Sequence, residues 1–276
     1  NYYNFYNIKK KYKIITIKYF TKFPMGINYY IYSFISLFIS DFKKHDIFIT
    51  RNFFISFILS ILKKKHIVEI HDDILNEGRI VQLLVKKFGF LNNKNLIKII
   101  TTTRTLKKRY VNFCKVRNNK IFVLHNASSL KPEFKKYKSK PKNINIGYFG
   151  SIYASRGIYT IIKLSTHDKI NKYFIYGGTD FEINSFKKKY KNKNLIFKSY
   201  VPYSKISSEL KKIDLCILPY KSRITVAGNI GDISNYTSPL KIFDYMIKGK
   251  LIVCSNLKVI REVLNHNKNS ILINNF

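Results

Sequence analysis

From Ile144 to the end of the chain, short apolar runs alternate with segments whose apolar residues recur every three or four positions. That alternation is the pattern of strand and helix in βαβ units. The runs predict strands at Ile144–Phe149, Tyr173–Tyr176, Leu195–Phe197, Asp214–Leu218, Leu251–Cys254 and Ser270–Ile273. Between them, helices are expected near Gly157–Leu164, Phe181–Tyr190, Ser204–Ile213, Ser238–Ile247 and Lys258–Leu264. Near-continuous apolar runs suit strands covered on both faces, so the sheet should be parallel. The first half repeats this grammar, with strands at Lys13–Ile17, Ile47–Thr50, Ile67–Ile70, Ile97–Thr101 and Lys120–Val123. Its helices are expected at Tyr29–Ile39, Phe53–Leu62, Ile80–Phe88 and Leu106–Cys114, and Phe23-Pro24-Met25-Gly26 reads as a turn. The fold class is therefore α/β, with two Rossmann-like parallel-sheet domains at 1–128 and 143–276. Residues 129–142, with Pro132, Pro141 and many lysines, form the expected linker.

A chain of 276 residues gives each domain a core of ordinary size. The formal net charge of +36 raises nucleic acid or an anionic membrane as partners. Lys, Asn, Ile, Tyr and Phe are all in excess together, however, as A/T-biased coding produces, and the lysines run the whole length. Without a recognisable RNA- or DNA-binding motif, no specific nucleic acid is expected; a basic nucleic-acid-binding protein remains the competing class. Cys114, Cys216 and Cys254 are far apart and read as small buried hydrophobes, so neither a disulfide framework nor a zinc site is expected. The apolar stretches Ile27–Ser40 and Asn52–Leu62 fall short of the roughly 20 residues that span a bilayer. A cytoplasmic location is expected, with peripheral contact to the inner membrane face through the Lys-rich, aromatic segment Tyr29–Lys65. A buried-core helix explains Phe53–Leu62 equally well.

The chemistry concentrates in Thr237-Ser238-Pro239-Leu240-Lys241-Ile242-Phe243-Asp244-Tyr245-Met246-Ile247-Lys248-Gly249-Lys250. Ser238 fits an N-cap, Pro239 the first helical position and Gly249 the stop. The free N–H groups of such a helix attract phosphate, and Asp244 is placed one to two turns inside as an acceptor for hydroxyl groups. Lys241 in the first turn opposes the helix dipole unless an anion neutralises it. A second segment, Gly150-Ser151-Ile152-Tyr153-Ala154-Ser155-Arg156-Gly157, follows a strand and opens a helix.

The first block resembles the donor-binding signature of glycosyltransferase family 4, retaining enzymes of the GT-B fold. The resemblance implies two domains facing a cleft, with the acceptor side in the first and the nucleotide sugar in the second. It implies transfer from a nucleoside-diphosphate sugar to a glycan or lipid-linked acceptor in cell-surface polysaccharide synthesis, without metal or other cofactor. Of the family's two glutamates separated by seven residues, Asp244 aligns with the second and Tyr236 with the first. Loss of the first leaves open an inactive relic that binds nucleotide. Gly150 and Ser151 resemble the family's phosphate loop, where Ser151 replaces an arginine found in many members and Arg156 matches the basic residue before the glycine. Ser238, Pro239, Leu240 and Lys241 complete the implied donor site.

His71 ends the apolar run Ile67–Ile70 at the sheet's ligand edge and resembles the family's histidine near the transferred sugar; capping of the next turn is the alternative. Asp72 is the rival base, although the leaving phosphate is implied to take the acceptor's proton. Arg51, after Asp46–Thr50, is a candidate acceptor contact, His125-Asn126 a turn and Asp214 a structural carboxylate. Both ends read as cut relative to the family.

Overall fold

A computed structural model of the chain describes residues 14–17, 24–40, 47–133, 142–225, 231–274 and 276. Lys13, Phe23, Asp46, most of the expected linker and residues 226–230 lie outside this set. The chain divides into two compact units. Among the described residues, one comprises 14–125 with Asn235–Ser238, and the other 126–234 with Pro239–Phe276.

In the N-terminal unit, helix α1 (Met25–Ile39) precedes β1 (Phe48–Thr50), α2 (Phe53–Ile61), β2 (His66–Ile70), α3 (Arg79–Phe88), β3 (Leu96–Thr101), α4 (Arg104–Cys114) and β4 (Ile121–Val123). The four strands pair in parallel in the order β1-β2-β3-β4. Consecutive parallel neighbours with right-handed crossovers place α2, α3 and α4 on one face. Caps explain where two of these helices start. Asn52 accepts from Ile55 N–H ahead of α2, and Thr103 from Leu106 N–H ahead of α4. Val68, Leu96, Ile99, Leu106 and Tyr110 form a core that excludes solvent.

The C-terminal unit contains β5 (Asn145–Phe149), α5 (Ile158–His167), β6 (Lys172–Tyr176), α6 (Asp180–Lys189), β7 (Leu195–Lys198), α7 (Tyr203–Lys211), β8 (Leu215–Leu218), α8 (Leu240–Ile247), β9 (Leu251–Ser255) and β10 (Ile271–Ile273). Its six parallel strands run β10-β9-β8-β5-β6-β7. The chain thus builds outward from β5 to β7, then crosses back to lay β8, β9 and β10 on the other side. The order reverses between β5 and β8, which is where doubly wound sheets bind ligands beyond the strand ends. Tyr148, Ile175, Cys216, Leu218 and Cys254 are wholly enclosed, as strands covered on both faces require. Asp214 is structural: its Oδ2 accepts from Asn145 N–H at 3.0 Å, while its own N–H donates to Asn145 O, pinning β8 to β5.

The strands fall within a residue or two of expectation, with one exception. Residues 14–17, the described part of the expected first strand, are not in a strand. Three helical expectations need correction. The turn around Pro24 is instead the start of α1, with Pro24 at the N-cap, so the helix begins four residues earlier than Tyr29. Lys258–Leu264 holds only a 3₁₀ turn, Ile260–Glu262. The third concerns α8: Pro239, not Ser238, is the N-cap, at φ −66° and ψ 106°, and Leu240 is the first helical residue. Proline's fixed φ suits extended backbone as well as helix, and here ψ is extended. The stop at Gly249 is as expected: Gly249 N–H reaches Met246 O at 2.9 Å and Lys250 N–H reaches Tyr245 O at 2.9 Å, the paired bonds that close a helix on a left-handed glycine. All three cysteines are buried thiols.

Candidate functional site

A candidate site opens at the C-terminal ends of β5 and β6, within the C-terminal unit, with a volume of about 640 Å³. Its floor is an aromatic pair. Phe149 and Tyr176 end adjacent strands in register and stack with centroids 4.3 Å apart, 3° from parallel. Gly150-Ser151 follow Phe149 at the end of β5, Gly177-Gly178-Thr179 follow Tyr176 at the end of β6, and Tyr200, Val201 and Tyr203 come after β7. Leu240, Lys241 and Asp244 contribute the first turns of α8.

Two glycines let these loops approach. A Cβ on Gly177, at φ 139°, would overlap the carbonyl oxygen of Gly150, whose own N–H donates to Tyr176 O at 2.8 Å. A Cβ on Gly150, at φ 138°, would overlap the ammonium of Lys241. Only glycine holds either conformation without strain.

Lys241 therefore turns its ammonium back over Gly150 rather than out to solvent, above the rings of Tyr148 at 4.6 Å and Tyr220 at 5.7 Å. Burial, and secondarily the like charge of Arg156, lower its pKa to about 7. Asp244 stands one turn further along. Its Oδ1 accepts from the Ser128 hydroxyl at 2.6 Å and the Tyr203 hydroxyl at 3.0 Å. Burial raises its pKa, and those two hydrogen bonds oppose the rise. A cation and a carboxylate on one short helix thus face a mostly apolar, aromatic hollow. Such a site suits a ligand with a flat ring, hydroxyl groups and a polyanion.

Of the residues expected from sequence, Gly150, Ser151, Leu240, Lys241 and Asp244 line this cavity. Pro239 caps the helix behind it, and Ser238 groups with the N-terminal unit. Arg156 is not on the wall. It ends a 3₁₀ turn with its guanidinium 5.2 Å over the Tyr220 ring and donates a long bond to Thr225 O at 3.5 Å. Its connection to the site is the charge it presents to Lys241. Sequence reasoning missed the aromatic lining, Gly177-Gly178, and Glu182, which accepts from the N–H and hydroxyl of Thr179 in a capping box at the start of α6. A Gly-Gly pair directly after a strand was the available signal.

Arg51, His71 and Asp72 belong to the N-terminal unit, each following the end of a strand. Arg51 is exposed. The His71 ring pairs through Nε2 with Glu69 Oε1, two residues back on the same strand face, and does not cap the following turn. Asp72 Oδ1 accepts from Asp73 N–H and from Asn76 Nδ2, both at 2.8 Å. Asp73 pairs with Arg109 Nε at 2.8 Å, so this turn is fastened on both sides. Glu77, which the sequence did not single out, lies close by. Burial and the neighbouring Asp72 push its carboxyl up to about 7. Tyr236 is buried, and its hydroxyl accepts from Asn76 Nδ2.

Comparison with known proteins bears on the fold. Residues 144–276 match the family model of the glycosyl transferases, group 1. Solved structures extend the likeness over most of the chain. HepE from Anabaena, in complex with UDP and glucose, has a TM-score of 0.60 at 12% identity, covering 90% of this chain and 68% of that one. A glycosyltransferase from Rickettsia africae scores 0.59 at 14%, covering 95% and 70%. The lipopolysaccharide outer core galactosyltransferase WaaB scores 0.58 at 13%, covering 90% and 66%. The fold is GT-B. Comparison with curated proteins finds no match.

Proposed function

We propose that this chain is a retaining glycosyltransferase that moves a sugar from a nucleoside-diphosphate sugar to a glycan or lipid-linked acceptor. The observation that carries the reading is Lys241, held over Gly150 with its ammonium against two aromatic rings and without a carboxylate partner among the bonds that fix the cavity. A lysine held half-neutral near pH 7 is costly unless an anion arrives to keep it charged. The donor's diphosphate is that anion, lying along Gly150 and Ser151 toward the start of α8. The aromatic and aliphatic wall receives the nucleoside, and Asp244 takes ribose hydroxyls.

Breaking the anomeric C–O bond leaves both bonding electrons on the diphosphate. Lys241 and the α8 N-terminus stabilise that charge, and the same phosphate oxygen takes the acceptor's proton. Retention of configuration rests on the resemblance carried by residues 238–250. The UDP in the HepE complex makes uridine donors the first to test. WaaB, named for lipopolysaccharide, favours a cell-surface glycan as product.

Calorimetric titration with UDP, GDP and ADP tests the site. Saturable binding of one nucleotide, lost in Asp244→Ala and in Lys241→Ala, is the expected result. Salt-sensitive binding of a short RNA with no nucleotide preference would overturn it. A second reading, nucleotide binding without transfer, draws on Tyr236, which stands where the family has a glutamate. Activity in the native chain excludes it; activity only in Tyr236→Glu supports it.

A further inference from the structure

Asp244 is fastened by one end only. Its Oδ1 accepts two hydroxyl protons, from Ser128 at 2.6 Å and from Tyr203 at 3.0 Å, and Oδ2 takes no bond among the described residues. The three residues come from separate parts of the C-terminal unit. Ser128 lies ahead of β5, Tyr203 opens α7, and Asp244 stands one turn inside α8.

A neighbour sets the direction of each bond. Leu130 N–H donates to the Ser128 hydroxyl oxygen at 3.1 Å, and the Ser129 hydroxyl donates to the Tyr203 oxygen at 3.3 Å. Each of the two oxygens is thus already accepting, and its own proton goes to Asp244. Both bonds favour the ionised carboxylate and oppose the rise in pKa that burial brings.

The count of acceptor sites then decides what remains. An ionised carboxylate accepts at about four lone-pair positions, two on each oxygen. Two donors fill Oδ1, so Oδ2 keeps room for two more. Asp244 and Tyr203 both line the cavity, so the open oxygen belongs to a residue on its wall. As a mere stitch between Ser128, α7 and α8, a half-buried carboxylate is a costly choice, because an amide would serve without a charge to desolvate. Anchoring Oδ1 also stops rotation of the carboxylate, a freedom that would otherwise be lost on binding.

We propose that Ser128 and Tyr203 are positioning residues for the donor nucleoside. By filling Oδ1 they set Asp244 so that Oδ2 accepts both vicinal hydroxyls of the ribose, which makes the site selective for ribonucleotides over 2′-deoxyribonucleotides. A deoxy ligand leaves one acceptor position of the carboxylate unsatisfied, and that loss is the source of the selectivity. The inference deepens the donor-site reading above and rests on it.

The test is calorimetric titration of the full chain with UDP, GDP and ADP, each beside its 2′-deoxy counterpart, with the melting temperature of each nucleotide-free variant as the check of folding. The native chain is expected to favour the ribonucleotide by roughly tenfold or more. Tyr203→Phe and Ser128→Ala should each weaken ribonucleotide binding by about fivefold and leave deoxynucleotide binding nearly unchanged, so that the preference falls to about twofold. Ser128→Thr, which keeps the hydroxyl, should retain the native preference. The Ser128→Ala/Tyr203→Phe double variant should show none, as Asp244→Ala should. The two single substitutions lie in different segments, so a failure of one to fold leaves the other to decide. Retention of the native preference in a folded Tyr203→Phe or Ser128→Ala, even with both nucleotides weakened equally, would reduce these hydroxyls to structural ties and overturn the proposal. So would a native chain that binds ribo- and deoxynucleotides alike. A native chain that binds none of the three ribonucleotides would overturn the donor-site reading itself and this inference with it.

Discussion

Lys241 is a residue whose environment and position disagree unless a ligand is considered. A cation in the first turn of a helix opposes the dipole, and burial holds its pKa at about 7 against an ordinary lysine value of 10.5. A depressed lysine pKa means that the unfolded chain holds more protons than the folded one between those values. Stability therefore gains from this group as pH rises from about 7 to 10.5, and below 7 its penalty is constant. A bound diphosphate reverses the preference, so binding above pH 7 must take up a proton. Titrations of UDP at pH 8 in buffers of different ionisation enthalpy are expected to show uptake approaching one proton, absent in Lys241→Met. Affinity should fall with pH above 7, by at most about tenfold per unit. Lys241→Met should weaken UDP binding by roughly 10- to 100-fold, as loss of a charge-assisted bond does, without lowering the melting temperature at pH 7. Lysine at this position was legible in the sequence as a phosphate ligand. Its poised charge was not, because that depends on Tyr148, Tyr220 and the bare backbone of Gly150, drawn from distant parts of the chain.

The strands were readable because parallel strands buried on both faces leave apolar runs such as Leu215–Leu218, bounded by polar residues or turns. Helix starts were harder. Pro239 fits both a first helical turn and the extended segment it occupies, and its ψ of 106° makes it the N-cap rather than the first helical residue. The loops after β5 and β6 are matched elements, and Gly177 is where they touch. Gly177→Ala would drive a methyl into the Gly150 carbonyl at a φ of 139°, so a loss of about 2–4 kcal/mol is expected, read as a lowered urea midpoint. Thr179→Ala removes one half of the capping box at the start of α6 and should cost about 1 kcal/mol, a smaller shift in the same assay.

At the scale of the molecule, the whole cavity belongs to the C-terminal unit, so nucleotide binding should stabilise that unit selectively. Hydrogen exchange is expected to slow on UDP binding at 149–153, 176–179, 200–206 and 240–245, and to stay unchanged in β2 and β3. Equal protection of both sheets would refute a donor site confined to one unit. Among the described residues no helix is long and apolar enough to cross a membrane.

Local pattern determined much on its own. Short continuous apolar runs and apolar residues recurring every three or four positions named nearly every element, Gly249 marked the end of α8, and the block from Ser238 to Lys250 pointed to a nucleotide sugar because phosphate chemistry is carried by contiguous backbone at a helix start. Tertiary structure decided what depends on distant residues meeting. It put Phe149 and Tyr176 face to face, turned Lys241 over Gly150 and moved Arg156 off the cavity wall onto Tyr220. Those outcomes follow from strand order and register, since a parallel sheet brings to one edge side chains that are dozens of residues apart, and no local pattern encodes which of them touch.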